Sequence, residues 1–159
     1  MMQLEIADAL RSATINVLET MFFTDAVPVE KEDVAPQSDA LACELQCSGG
    51  ENGSFGVAVD RIALQALCCA FYGEEGGATP TQEQDLICEL TNMLAGSTLS
   101  RYAPAHACTL SSPLLCDYSP WATTLGQQDI VSQKDRLTRL NLSLDGGLLL
   151  LWCSLRRVA

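Results

Sequence analysis

Asp85, Glu89, Asn92 and Gly96 recur at i, i+4, i+7 and i+11. That spacing stacks the four positions on one side of an α-helix. A carboxylate can pair with a lysine, and a carboxamide can hold a water through one donor and one acceptor. A glycine one turn on lets a partner approach closely. Together they would form a rigid acid–amide pair for insertion into another protein's active site. The partner would then supply the metal and the leaving group. Spacing alone also fits an ordinary solvated helix face.

Other catalytic constellations are poorly supported. A Ser-His-Asp or Cys-His site would need His106, the sole histidine, which lies between Ala105 and Ala107 with no G-x-S-x-G motif. There is no P-loop, and no G-x-G-x-x-G follows a strand. Glu74 and Glu75 read as solubilising loop residues. The eight cysteines are Cys43, Cys47, Cys68, Cys69, Cys88, Cys108, Cys116 and Cys153. They form no C-x-x-C, which argues against zinc. Cys43 and Cys47 share a strand face but stand ~13 Å apart, too far for one metal or a mutual disulfide. Most cysteines lie in apolar runs and read as buried free thiols. Cys68-Cys69 as a redox pair is the sharper alternative.

The acid–amide ridge needs a helix, and the sequence supplies one. Thr79-Pro80-Thr81-Gln82 carries an N-cap, a first-turn proline and a capping-box glutamine. The helix is expected to run through Glu83 to about Tyr102 and end before Pro104. Leu86, Ile87, Leu90, Met93, Leu94 and Ser97 form its inner stripe. An earlier helix is expected over 4–23, with Leu4, Ala7, Leu10, Ala13 or Thr14, Val17, Leu18 and Met21 inward. Pro28 and Pro36 bracket an acidic loop, Glu30-Lys31-Glu32-Asp33.

A hairpin follows, with strands over 40–47 and 54–59 around a turn at 48–53. Asp60 caps a largely buried helix over 61–72, which Gly73 stops. The rest reads as β: an apolar stretch over 106–117, an interruption at Ser119-Pro120-Trp121, and a short strand at 130–133. Strands over 137–144 and 148–155 then flank the turn Asp145-Gly146-Gly147. The unbroken apolar run of the last strand marks it as central and covered on both faces. The expectation is an α+β fold, helices packed on a mainly antiparallel β-sheet.

The chain has 159 residues with 9 Lys+Arg against 20 Asp+Glu, a net charge of −11. The length fits a single domain over 1–159. Apolar residues make up 48%, too many for a disordered chain. Nine cations do not make a basic nucleic-acid footprint, so no nucleic-acid partner is expected. No apolar run approaches the ~20 residues of a membrane span, and Met1 to Glu5 lack a basic leader. We expect a cytoplasmic protein with no membrane partner.

The run from Asp85 to Gly96 resembles the signature helix of the CheC/CheX/FliY family of chemotaxis phosphatases. The family pattern is Asp or Ser, three residues, Glu, two residues, Asn, and a proline about twenty residues later. Asp85, Glu89 and Asn92 match in identity and spacing. Pro113 follows Asn92 with twenty residues between, slightly closer than the family spacing. The run Val17 to Phe23 is similar to the first helix of CheX-like members. A faint internal echo aligns Leu18-Glu19-Thr20-Met21-Phe22-Phe23 with Cys88-Glu89-Leu90-Thr91-Asn92-Met93, so Phe22 stands where Asn92 stands. The resemblance therefore implies a single active helix, as in CheX.

The resemblance further implies a phosphatase acting on a phosphorylated CheY-type response regulator. Asn92 would orient the attacking water and Glu89 would pair with the regulator's lysine. Asp85 and Gly96 would contact the partner, or Asp85 would only favour the helix N-terminal dipole from the second turn. The protein would need no cofactor or metal of its own, with Mg²⁺ expected on the regulator. CheX-like proteins are homodimers, so a homodimer is implied, with an apolar edge strand in the C-terminal half available for pairing. Two other readings stand beside this one. The first is a non-catalytic CheX-like module that binds or scaffolds the regulator. The second is a thiol-based redox or metal sensor.

Overall fold

The computed structural model describes residues 2–29, 36, 39–73, 77–103, 107–117 and 137–157. Among the described residues there are three long helices: α1 (Met2–Phe22), α2 (Arg61–Tyr72) and α3 (Pro80–Tyr102). The same described residues form one sheet of seven strands: β1 (Val27–Pro28), β2 (Leu41–Gly49), β3 (Glu51–Val59), β4 (Cys108–Leu110), β5 (Leu114–Asp117), β6 (Leu137–Leu144) and β7 (Gly147–Arg157). Their order is β1-β6-β7-β3-β2-β4, with β5 also on β2. Every pairing is antiparallel. The α+β expectation holds. The readings at His106, Pro104, the acidic loop 30–33, Glu74-Glu75, 119–121 and 130–133 lie outside the described residues.

Period-two alternation decides which side of the sheet is covered. Cys43, Leu45 and Cys47 of β2, Phe55, Val57 and Val59 of β3, and Leu149, Leu151, Cys153 and Leu155 of β7 share one core with the three helices. A smaller cluster of Ala42, Ala58 and Leu150, with Trp152 against it, occupies the opposite face. Strand β7 lies between β6 and β3, as a central strand should, but it is fully covered on one face alone: of the other face only Leu150 is buried, while Leu148, Trp152 and Ser154 are half-buried.

Local signals set the helix ends. Asp60 is the N-cap of α2, and its carboxylate accepts from Ala63 N at 2.9 Å. Its other oxygen accepts from Leu148 N at 2.8 Å, so one side chain ties the start of α2 to β7. Gly73 ends α2 in the left-handed region at φ 70°. The turn joining β6 to β7 has positive φ at both Asp145 and Gly146, the geometry whose twist matches that of a hairpin.

Three expectations need correction. Helix α2 is amphipathic rather than largely buried: only Ala63, Leu64, Leu67 and Cys68 are buried, while Ile62, Cys69, Ala70 and Phe71 are exposed. Its apolar residues run all round, but it meets neighbours on one side. The inner face of α1 is Ile6, Leu10, Ala13, Thr14, Leu18 and Phe22, so Ala7 and Met21 point outward. The buried Thr14 hydroxyl is satisfied by donating to Leu10 O at 2.7 Å, which makes Thr tolerable there. The apolar stretch read as β holds, over its described residues 107–117, two strands rather than a continuous one, because β4 and β5 are separated at 111–113.

That separation is a bulge. Leu110 pairs with Cys47, and Leu114 pairs with Glu44. Two residues of β2 therefore oppose three of the other segment. Ser111 fills the gap: its N–H donates to Gln46 O at 2.8 Å, and its hydroxyl accepts from Gln46 N at 2.9 Å. Pro113, which has no N–H for a ladder, belongs at such a position.

Candidate functional site

The site is built on α3. Thr79 and Gln82 form a complete capping box, with Gln82 N donating to the Thr79 hydroxyl at 3.1 Å and Thr79 N donating to the Gln82 amide at 2.9 Å. Leu86, Ile87, Leu90, Thr91, Leu94, Ala95, Thr98 and Leu99 are buried, so α3 is anchored along its length against α1 and the sheet. The inner stripe differs from expectation at Met93 and Ser97, which are half-buried. Arg61 of α2 pairs with Glu83 at 2.9 Å. With the arginine half exposed, this pair adds little stability and mainly sets local geometry.

Asp85, Glu89 and Asn92 lie on the outer side of α3, all exposed. Gly96 is half-buried, and a Cβ there would meet nothing within 4 Å. Residues three or four apart on a helix are ~5–6 Å apart at Cβ, so Glu89 and Asn92 can address neighbouring atoms of one ligand. Among the described residues neither has a hydrogen bond or an ion pair. Asp85 acts on Tyr72 of α2, whose hydroxyl is pushed above its usual range by burial and then by the Asp85 charge. That hydroxyl donates to Gln82 O at 3.2 Å.

Two hollows flank the ridge. The first, about 500 Å³, is lined by Asp85, Cys88, Glu89 and Asn92 from α3 and by 110–113 across from it. The second, about 300 Å³, is lined by Met21, Phe71, Tyr72, Leu86 and Met93, and shares Asp85 and Glu89. The two acids thus stand between a polar trough and an apolar one, and Asn92 lines the polar trough alone. Pro113 lines the same trough as Asn92.

Sequence reasoning passed over Cys88, Ser111 and Ser112. Helical phase could have found Cys88, three residues after Asp85. The serines reach the trough only because of the bulge, which no local pattern announces. In α1, Phe22 is fully buried and packs on Phe71 with ring centroids 5.5 Å apart. The position echoing Asn92 is therefore core, and only α3 presents the Glu–Asn pair outward. Among the described residues no three His, Cys, Asp or Glu side chains converge as a metal site. No described helix is long and apolar enough to cross a membrane.

Known structures share this architecture. Chemotaxis protein CheX from Vibrio vulnificus is 16% identical, with a TM-score of 0.73 over 97% of this chain and 98% of that one. Chemotaxis protein CheX from Desulfovibrio desulfuricans is 19% identical, with a TM-score of 0.71 over 96% and 99%. A structure of the CheX-CheY-BeF3-Mg²⁺ complex from Borrelia burgdorferi matches at 16% identity and a TM-score of 0.64, over 94% and 97%. No curated protein sequence matches the chain significantly. The profile of the chemotaxis phosphatase CheX family matches residues 41–133, a span that includes all of α3, and the chain belongs to that family.

Proposed function

We propose that this protein hydrolyses the aspartyl phosphate of a CheY-type response regulator, using Glu89 and Asn92 of α3. The observation that carries this reading is their placement. Both are exposed on a rigid, capped helix, unpartnered, beside one trough open to solvent. Such a pair is preorganised for a partner that brings its own reactive group. The Borrelia burgdorferi relative is in complex with CheY, BeF3 and Mg²⁺, which supports the choice of partner. A regulator of this type is cytoplasmic, so the same reading assigns the protein to the cytoplasm.

The chemistry is displacement at phosphorus. Water attacks in line, the bond between phosphorus and the aspartyl oxygen breaks, and the carboxylate leaves. The Asn92 carboxamide holds the water with its carbonyl and orients it with its N–H groups. Glu89 pairs with the regulator's lysine and fixes the register of the two proteins. Asp85, one turn earlier, adds a second acidic contact, and Gly96 leaves the backbone open to close approach. The regulator's magnesium supplies charge neutralisation at the phosphoryl group. This chain supplies positioning.

The same reading includes a homodimer. Strand β5 pairs with β2, and its Leu114 and Leu115 are 70% and 43% exposed. An apolar strand of this kind is suited to pairing with a second copy. A molar mass of one chain at high concentration would remove this part of the reading.

The competing reading is a module that binds the phosphorylated regulator without hydrolysing it. Stoichiometry separates the two. A phosphatase at one-hundredth of the regulator concentration empties the whole phosphorylated pool. A sequestering module alters only its own molar equivalent.

A further inference from the structure

We propose that Cys88 and Cys43 are an oxidant-sensitive thiol pair built into the wall of the trough beside Glu89 and Asn92. Their sulfurs are 3.5 Å apart, with the Cys43 thiol donating to the Cys88 sulfur. Cys88 is half-buried and lines the trough between Asp85 and Glu89. Cys43 lies behind it on β2 and is fully buried. A small oxidant entering the trough therefore meets Cys88 first, with a second thiol already in contact. The adjacent Cys68 and Cys69 lack this arrangement, since one is buried and the other exposed.

The oxidant class is a hydroperoxide, and the steps balance. The Cys88 thiolate attacks a peroxide oxygen. The O–O bond breaks, hydroxide leaves and takes a proton as water, and Cys88 becomes a sulfenic acid. The Cys43 sulfur then attacks the Cys88 sulfur. The S–O bond breaks and hydroxide leaves with the proton Cys43 gives up. Two thiols lose two electrons and two protons, and hydrogen peroxide becomes two waters. Burial, aided by the neighbouring Cys88 and Cys116, pushes Cys43 up to about 12 against the lowering effect of Thr91. Cys43 therefore stays protonated until the leaving hydroxide takes its proton, and Cys88, the thiol open to the trough, reacts first.

The bond would alter the site. A disulfide needs sulfurs about 2.05 Å apart, closer than the present contact. Closing that gap draws α3 and β2 together at Cys88, next to Glu89 and one turn before Asn92. A displacement of ~1 Å at a positioning group can cost ~10²-fold in rate. This consequence for turnover rests on the proposed phosphatase activity; the cross-link itself does not.

The test is hydrogen peroxide applied to the whole protein, then alkylation of free thiols and peptide mapping by mass. The expected product is a Cys43–Cys88 linked peptide, two hydrogens lighter than its parts and released by dithiothreitol. Turnover of a phosphorylated CheY-type regulator should fall ~10²-fold and return on reduction. Cys43→Ala should give no link and leave a sulfenic acid on Cys88 that dimedone traps. Cys116→Ser should still form the link. Absence of the Cys43–Cys88 link, or a link between other cysteines in its place, overturns the pair. A link that leaves turnover unchanged overturns its effect on the site. If the reduced protein shows no turnover, the phosphatase reading fails, and the mass map alone decides the thiol pair.

Discussion

Asn92 and Pro113 have twenty residues between them in the chain, α3's last turns and β4 included, yet they line one trough of about 500 Å³. The bulge at 111–113 makes this possible. It turns the chain out of register against β2 and carries Ser111, Ser112 and Pro113 toward the ridge of α3. One wall of the trough is thus a rigid helix and the other a loop pinned to β2 through Ser111.

Glu89 should govern affinity more than rate. Its carboxylate has no partner among the described residues, so Glu89→Gln removes a charge available to the regulator's lysine. We expect KM for the phosphorylated regulator to rise about 10-fold, equivalent to about 1.4 kcal/mol, with kcat changed much less. Stability should move by less than about 0.5 kcal/mol, as for an exposed surface position. Steady-state kinetics with urea denaturation checks both.

Gly96 separates stability from docking. A Cβ there meets nothing, so Gly96→Ala should stabilise α3 by about 1 kcal/mol. Gly96→Trp should keep the fold but raise KM at least ~10-fold, the scale of one lost contact. Thermal denaturation and regulator titration of the two variants test this. Equal KM for both would show that the partner does not approach this turn.

Asp60 should be a stability residue without a role in turnover. It caps α2 and holds Leu148 N. Asp60→Ala removes a cap worth about 1 kcal/mol and a charge-assisted bond worth about 1.5 kcal/mol or more. A loss of about 2–3 kcal/mol is expected in urea, with kcat of the folded protein retained.

Alkaline pH should unfold the protein through its buried thiols. Burial is the leading cause that raises Cys43 and Cys153 to about 12, and Cys47 and Cys68 to about 11. The unfolded chain releases these protons near 9, before the folded chain does. Stability should therefore be level below pH 9 and fall as pH rises from 9 toward 12. Urea midpoints across that range check the sign. In the native state, exposed Cys69 and Cys116 should react first with a thiol reagent.

Where a local signal and a tertiary demand coincide, the sequence was legible. The capping box from Thr79 to Gln82, the limits of α2 and the Asp145-Gly146 turn all follow from side chains that satisfy their own backbone. Asp85, Glu89 and Asn92 likewise share an exposed ridge that ends at the half-buried Gly96, because the buried stripe of α3 lies opposite it. Other features depend on distant partners. Val27–Pro28 is too short for any periodicity and becomes a strand only by pairing with β6. The hairpin strands run further into the turn than expected, with 48, 49, 51, 52 and 53 included, because Asn52 accepts from Gly49 N at 3.2 Å and so supports the narrow turn. The outward face of Met21 on α1 and of Phe71 on α2 follows from how those helices seat on the core, which residue type does not reveal. The bulge and the Cys43–Cys88 contact belong to the same class.

The central claim is that Asn92 positions the attacking water. Its most direct test is phosphate release from a phosphorylated CheY-type regulator of the same genome, with wild type and Asn92→Ala each at catalytic concentration. The account predicts many turnovers by the wild type and a kcat lower by ~10²–10³ in the variant, with KM and the denaturation midpoint little changed. Equal kcat for the two proteins would contradict it.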